Sequence, residues 1–261
     1  MLICPNCHQP LIREDKRYVC LNGHSFDIAK QGYCNLLIHN KKDPGDNKVM
    51  VDARQLFFSQ DYYRILKEKI IEVIKELNLT NLIDAGCGQG YYTNAIDEAL
   101  HLQIYGFDMS KLALAKASKK NRPVHYFAAS VFELPVSDHS FDGLLSIFAP
   151  FSLDEIHRVL KPNGYFIKVG PGPYHLYGLK KVLYQEPYLN QIETVNHSNF
   201  ELVKHCEVND EIYIESQNKI DALFKMTPYY YHTPRANSLR LQELENLKTQ
   251  IQFEIEVYQV K

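Results

Sequence analysis

The chain has 261 residues, a hydrophobic fraction of 45% and a charged fraction of 23%, which suits an ordinary globular protein with one α/β domain and an appendage. Its formal net charge of −2 excludes a uniformly basic nucleic-acid binder, so any phosphate-binding face must come from local asymmetry. No apolar run reaches bilayer-spanning length and no basic-then-apolar leader opens the chain, so we expect a soluble cytoplasmic protein whose six cysteines serve as metal ligands or free thiols.

The first segment is a candidate metal site. Cys4-Pro5-Asn6-Cys7 is a turn tight enough to aim two thiolates at one point. Arg17-Tyr18-Val19 reads as a short strand leading into Cys20, and Gly23 lets the chain curl back to present His24. Three sulfurs and an imidazole suit one tetrahedral, structural zinc, with His8 the rival of His24 for the fourth place. So small a segment has little core, and the metal would supply its folding energy. Arg13, Lys16 and Arg17 are its candidate phosphate contacts. Cys34, Cys87 and Cys206 read as small buried residues.

We assign residues 1–38 to this zinc-binding module, 39–80 to a linker with helices, and 81–261 to the main domain. Turn chemistry centres on Asp43-Pro44-Gly45-Asp46. The spacing of Leu56, Ile65, Leu66, Ile70, Ile74 and Leu77 predicts two helices on either side of Asp61. Strands follow at 82–85, 104–107, 125–128, 141–148 and 165–169, with helices between them, clearest at 111–120 and 153–160. That alternation predicts an α/β fold with a doubly wound, mostly parallel sheet. Residues 200–214 and 250–260 read as an antiparallel closing pair, and 217–225 and 238–248 as helices.

The chemistry concentrates at Asp84-Ala85-Gly86-Cys87-Gly88-Gln89-Gly90. An apolar run ending in an acid, then glycine at every second position, lets a strand turn sharply into a helix with a ligand against bare backbone. Asp108 closes the next apolar run and brings a second carboxylate to the same sheet edge. The spacing departs from the dinucleotide fingerprint G-x-G-x-x-G. Asp84 would repel a pyrophosphate, yet could hold an amine or, through water, a sulfonium ligand. The loop resembles motif I of the class I S-adenosylmethionine-dependent methyltransferases, with a nicotinamide cofactor as the alternative. Asp108 would then accept from both ribose hydroxyls.

Further segments sharpen the resemblance: Cys4-Pro5-x-Cys7-His8-Gln9-Pro10-Leu11, Gly32-Tyr33-x-Asn35-Leu36-Leu37, Lys42-Asp43-Pro44-Gly45-Asp46, Ala149-Pro150, Pro171-Gly172-Pro173-x-His175-Leu176 and Met226-Thr227-Pro228. With the glycine loop, they make the chain similar to the bacterial 23S rRNA (guanine-N1)-methyltransferases of the RlmA or RrmA type over nearly its whole length. The resemblance implies a seven-stranded methyltransferase fold, an amino-terminal zinc module, a homodimer, and an unpaired or flipped guanine in a 23S rRNA hairpin as substrate. It carries the zinc ligands onto Cys4, Cys7, Cys20 and His24, and the cofactor contacts onto Tyr63, Gly88, Gln89 and His175. Two neighbouring target guanines are known in the family; a chain rich in Lys, Asn, Ile and Tyr points to the Gram-positive type.

This chain departs from the family pattern in two places. Gln89 stands where relatives often have glutamate, and Ala129-Ser130 replaces the usual acid after the third strand, leaving adenine to backbone groups or the Ser130 hydroxyl. Without tryptophan, base stacking must use tyrosine, phenylalanine or histidine, and Tyr91, Tyr92, Phe148, Phe151 and Tyr229 to Tyr231 are the candidates. Asp154 and Glu155 read as helix N-terminal carboxylates. Lysines 111, 116, 119 and 120 with Arg122 read as a solvated helix face. No residue declares itself the general base. A same-fold enzyme acting on a small molecule and a non-catalytic RNA binder are the competing readings.

Overall fold

The computed structural model describes residues 1–38, 47–119 and 124–261. The Asp43-Pro44-Gly45-Asp46 turn, Lys120 and Arg122 lie outside the described residues. The chain opens with a small antiparallel sheet of β1 (Ile12–Glu14), β2 (Arg17–Val19) and β3 (Ser25–Asp27). Its next strand, β4 (Cys34–Asn35), already belongs to the main sheet. Two helices follow, α1 (Lys48–Ser59) and α2 (Arg64–Glu76), and the turn between them carries Asp61 in the left-handed region at φ 55°. The Lys67 ammonium and the Tyr91 hydroxyl both donate to the Asp61 carboxylate, which fixes that turn against the core.

The strand–helix alternation then runs β5 (Asn81–Ala85), α3 (Tyr91–Leu100), β6 (Gln103–Asp108), α4 (Lys111–Ser118), β7 (His125–Ala128), β8 (Phe141–Ile147), α5 (Leu153–Val159), β9 (Leu160–Pro171) and α6 (Tyr177–Leu183). Ser110 caps α4 and Ser152 caps α5, each accepting a backbone N–H from the first turn. The last third holds β10 (Phe200–Ile214), α7 (Gln217–Lys225), α8 (Tyr229–His232), α9 (Arg235–Ser238) and β11 (Leu247–Val260). The strand order is β10-β11-β9-β8-β5-β6-β7-β4, antiparallel at β10 and β11 and parallel elsewhere.

This is the expected methyltransferase architecture with one strand added. The two residues of β4 pair in parallel with Phe127 and Ala128 and cover the edge that β7 would otherwise leave open. The amino-terminal module is therefore stitched into the main sheet, with Tyr18 edge-on to Phe127 at 5.5 Å between ring centroids. Central β5 is buried at every position, because helices cover one face of a parallel sheet and α5 with the module covers the other.

Two boundaries differ from the sequence expectation. The strand expected at 165–169 is the middle of a longer β9, because Leu160 already pairs with Phe141. The helix expected at 238–248 is absent. A four-residue α9 passes into a 3₁₀ turn at Leu239–Glu243, and β11 begins at Leu247. Pairing of β11 with β10 continues out to Leu247 opposite Ile214, and those ladder bonds override a weak helical preference. No helix among the described residues is long and apolar enough to cross a membrane.

Candidate functional site

At the amino terminus the backbone gathers Cys4, Cys7, Cys20 and His24 until their ligand atoms lie within 4.8 Å of one another. The Cys7 and Cys20 sulfurs are 3.7 Å apart, and His24 Nδ1 stands 3.5 Å from Cys4 Sγ and 3.4 Å from Cys20 Sγ. Ligands of one tetrahedral zinc, at about 2.3 Å for sulfur and about 2.0 Å for nitrogen, stand about 3.5–3.8 Å apart, so the donor set fits that ion. His8 is exposed and outside the cluster, whereas His24 stands beside the three sulfurs. A backbone N–H from Gln9 holds the Cys7 thiol down to about 6, towards the thiolate a metal requires.

At the carboxyl edge of β5 the glycine loop takes the left-handed conformation three times, at Gly86 (φ 83°), Gly88 (φ 53°) and Gly90 (φ 71°). A Cβ on Gly86 would lie 2.4 Å from the Ala149 Cβ, so that glycine permits close packing of the two loops. A Cβ on Gly88 would meet nothing within 4 Å: the bare backbone there borders open space, a cradle for a ligand. Asp108 stands beside it. One carboxylate oxygen accepts the Gly88 N–H at 2.9 Å and the other the Ser110 N–H at 2.7 Å, which leaves lone pairs on both to accept further donors. Burial raises the Asp108 pKa, opposed by those N–H groups and by the Arg54 charge on α1.

Asp84 lies beneath the loop, fully buried, with one oxygen accepting the Thr93 hydroxyl at 2.5 Å. Burial pushes its carboxyl up to about 7; Thr93 opposes the shift and the Asp108 charge adds to it. Gln89 points away from the cradle and donates to the Val51 carbonyl of α1. Lys116 binds Asp52 and Gln55 on the same helix, so α1 is fastened over the glycine loop from two sides.

Tyr63 and His175, 112 positions apart in sequence, meet at 3.2 Å between hydroxyl and Nε2. The Gln252 backbone N–H donates to His175 Nδ1, so Nε2 carries the proton and donates to the Tyr63 oxygen. The Tyr63 hydroxyl proton is then available to another acceptor. Burial holds the His175 pKa down to about 3, with the Lys180 charge contributing, so the ring is neutral at physiological pH.

Phe148 follows β8 in the left-handed region at φ 54°, 46% exposed and 5.8 Å from the His175 ring. Phe151 instead packs on Phe166, while Tyr91 stacks on Phe58 and its hydroxyl binds Asp61. Of the expected stacking residues, Phe148 thus offers an accessible ring beside the loop; Tyr231 is also exposed, its hydroxyl accepting from the Asn47 amide. Ser130 is half-buried, its hydroxyl accepting the Phe132 N–H, and the adjoining Ala129 N–H donates to the Asp108 carbonyl. Glu155 lies in the first turn of α5 and is tied to Arg158 at 2.7 Å, a structural role. Arg54 went unnoticed in the sequence, since nothing in helical spacing ties it to a carboxylate two strands away.

A family model described as a methyltransferase domain matches residues 83–168, from the glycine loop to β9. Another, described as RlmA, N-terminal, matches residues 2–44. The chain is 29% identical over 269 residues to the Bacillus subtilis (strain 168) protein YxjB, which carries the provisional name 23S rRNA (guanine-N(1)-)-methyltransferase; the match covers 98% of this chain and 95% of that one. It is 33% identical over 181 residues to the 23S rRNA (guanine(748)-N(1))-methyltransferase of Streptomyces fradiae, covering 67% of this chain and 65% of the relative. A Micromonospora griseorubida protein, provisionally named a 23S rRNA (guanine-N(1)-)-methyltransferase, is 31% identical over 199 residues, covering 67% of both chains.

Proposed function

The chain belongs to the 23S rRNA (guanine-N1)-methyltransferase family, and from that premise we propose that it transfers a methyl group from S-adenosylmethionine to N1 of one guanine in a 23S rRNA hairpin, in the cytoplasm. The observation that carries this is a cluster of three cysteines and a histidine whose ribbon is joined, through β4, to the sheet that bears the open glycine cradle. A small-molecule methyltransferase needs no such module.

Within this reading Asp108 takes the ribose hydroxyls, the Gly86–Gly90 backbone lies along the cofactor, Ser130 or its neighbouring backbone takes the adenine, and Asp84 attracts the ammonium from beneath the loop. Tyr63 and His175 meet the donor's methionine end, and Gln89 acts through its backbone. The bound donor supplies an electrophilic sulfonium methyl. The protein's own work is to hold that methyl in line with N1, which can contribute about 7 kcal/mol or more. Guanine N1 is hidden in a base pair, so the base must be unpaired or flipped. Phe148 is the ring on which it would stack. His175, held near 3, is too weak a base to take the N1 proton at neutral pH, so that proton leaves by another acceptor.

One structural zinc held by Cys4, Cys7, Cys20 and His24 would fold the ribbon and present Arg13, Lys16 and Arg17 to rRNA phosphates. A homodimer belongs to the same proposal and sedimentation would test it. The decisive experiment is mass spectrometry of 23S rRNA from cells lacking the gene, with attention to the guanine 748 that names the Streptomyces fradiae relative. N1-methylguanosine should vanish at one position and return when purified protein and donor are added. An unchanged inventory overturns the proposal.

A further inference from the structure

Lys180 is a lysine with no solvent-accessible surface, and no carboxylate lies within ion-pairing distance of it among the described residues. Its ammonium donates to the Asn190 side-chain oxygen at 2.6 Å and the Tyr188 carbonyl at 3.0 Å. The same charge lies 4.3 Å from the Tyr188 ring centroid and 5.6 Å from that of Tyr229. A buried cation satisfied only by neutral groups is costly, and such a group persists where its contacts organise something else.

Asn190 is what it organises. The amide nitrogen donates to the carbonyls of Gly172 (2.9 Å) and His175 (3.2 Å), the backbone N–H donates to the Pro173 carbonyl (2.9 Å), and the side-chain oxygen also accepts the Tyr229 hydroxyl (3.3 Å). Because lysine can only donate, this network admits one orientation of the amide. The turn that carries His175 is thus held from two sides, by the Asn190 amide and by the β11 backbone at Gln250 and Gln252.

We propose that Lys180 is a positioning residue for methyl-donor binding: through Asn190 its ammonium holds the 171–176 turn so that the His175 ring meets the Tyr63 hydroxyl. The proposal rests on the reading that Tyr63 and His175 contact the donor. The titratable groups facing the ammonium are Tyr188 with its neighbour Tyr184, Tyr229 of α8, and His175 of the turn. Burial lowers the Lys180 pKa to about 8, while it raises those of Tyr188 and Tyr229 and His175 is already neutral. Among Lys180, Tyr188, Tyr229 and His175, Lys180 is therefore the one that changes charge between pH 7 and 9.

The test uses full-length protein, S-adenosylhomocysteine as calorimetric probe, and three chains: wild type, Lys180→Met and Asn190→Asp. Asn190→Asp keeps the lysine contact as an ion pair but turns two donated bonds into repulsion against the Gly172 and His175 carbonyls. Both variants should weaken probe binding about tenfold and raise the donor KM in step, with kcat at saturating donor within about threefold of wild type. The wild-type dissociation constant should rise from pH 7 to 9 more steeply than that of Lys180→Met; the difference isolates the lysine from the ligand's own amine. Should Lys180→Met not fold, Asn190→Asp decides the matter. Affinity within twofold of wild type in a folded variant, or parallel pH profiles, overturns the proposal. A wild-type protein that does not bind the probe overturns the donor reading first.

Discussion

Replacing Asp84 by asparagine should stabilise the protein at alkaline pH while weakening its hold on the methyl donor. The side chain is fully buried beneath the glycine loop with the Thr93 hydroxyl on one oxygen, and burial carries its pKa from 3.8 to about 7. A native pKa above the unfolded one means that the folded chain holds more protons between those limits. Stability from this group is therefore complete below about pH 4 and lost as pH rises through about 7. A shift of about three units corresponds to about 4 kcal/mol at most, and relaxation of the site argues for about 2–4. Asparagine carries no charge, and its carbonyl can still accept from Thr93. Urea unfolding at pH 5 and pH 8.5 should show the variant gaining about 1–3 kcal/mol on the wild type, since only about two units of the shift lie between those conditions. Calorimetry at pH 8.5 should show weaker S-adenosylhomocysteine binding, because the anion proposed to attract the ligand's ammonium is gone. Parallel pH dependences of stability for the two proteins would refute the assignment of a strained carboxylate to this position.

The two loop glycines should separate stability from binding. Gly86→Ala drives a methyl to 2.4 Å from Ala149 and should cost about 2 kcal/mol or more in unfolding free energy. Gly88→Ala meets open space, so melting should register only the left-handed penalty of about 1 kcal/mol while donor affinity falls about tenfold or more. Elemental analysis should find one zinc per chain, and chelation should lower the melting temperature, because losing the ribbon also frees β4 and Tyr18 from the β7 edge. Metal-free protein that melts like the native form would count against a structural ion. His175→Asn should raise the donor KM yet leave the shape of the kcat–pH profile from pH 5 to 7.5 unchanged at saturating donor; loss of an ionisation there would make His175 the base after all.

Much of this molecule could be read from the linear chain because its chemistry sits in local patterns. The turn Cys4-Pro5-Asn6-Cys7, the alternate glycines after Asp84 and the acid ending β6 each specify a backbone shape within a few residues, and backbone shape is what a metal or a nucleoside recognises first. The parallel core was legible for the same reason: strands covered on both faces must be continuously apolar. Spacing could not reveal which distant residues become neighbours. The meeting of Tyr63 with His175, the clasp of Gln89 on Val51 and the Lys180–Asn190 network join segments whose separation in sequence carries no periodic signal. The same limit explains the helix expected at 238–248. Local propensity there amounts to tenths of a kcal/mol per residue, whereas a strand partner from β10 contributes a hydrogen-bonded ladder and buried side chains that exist only once the sheet has formed.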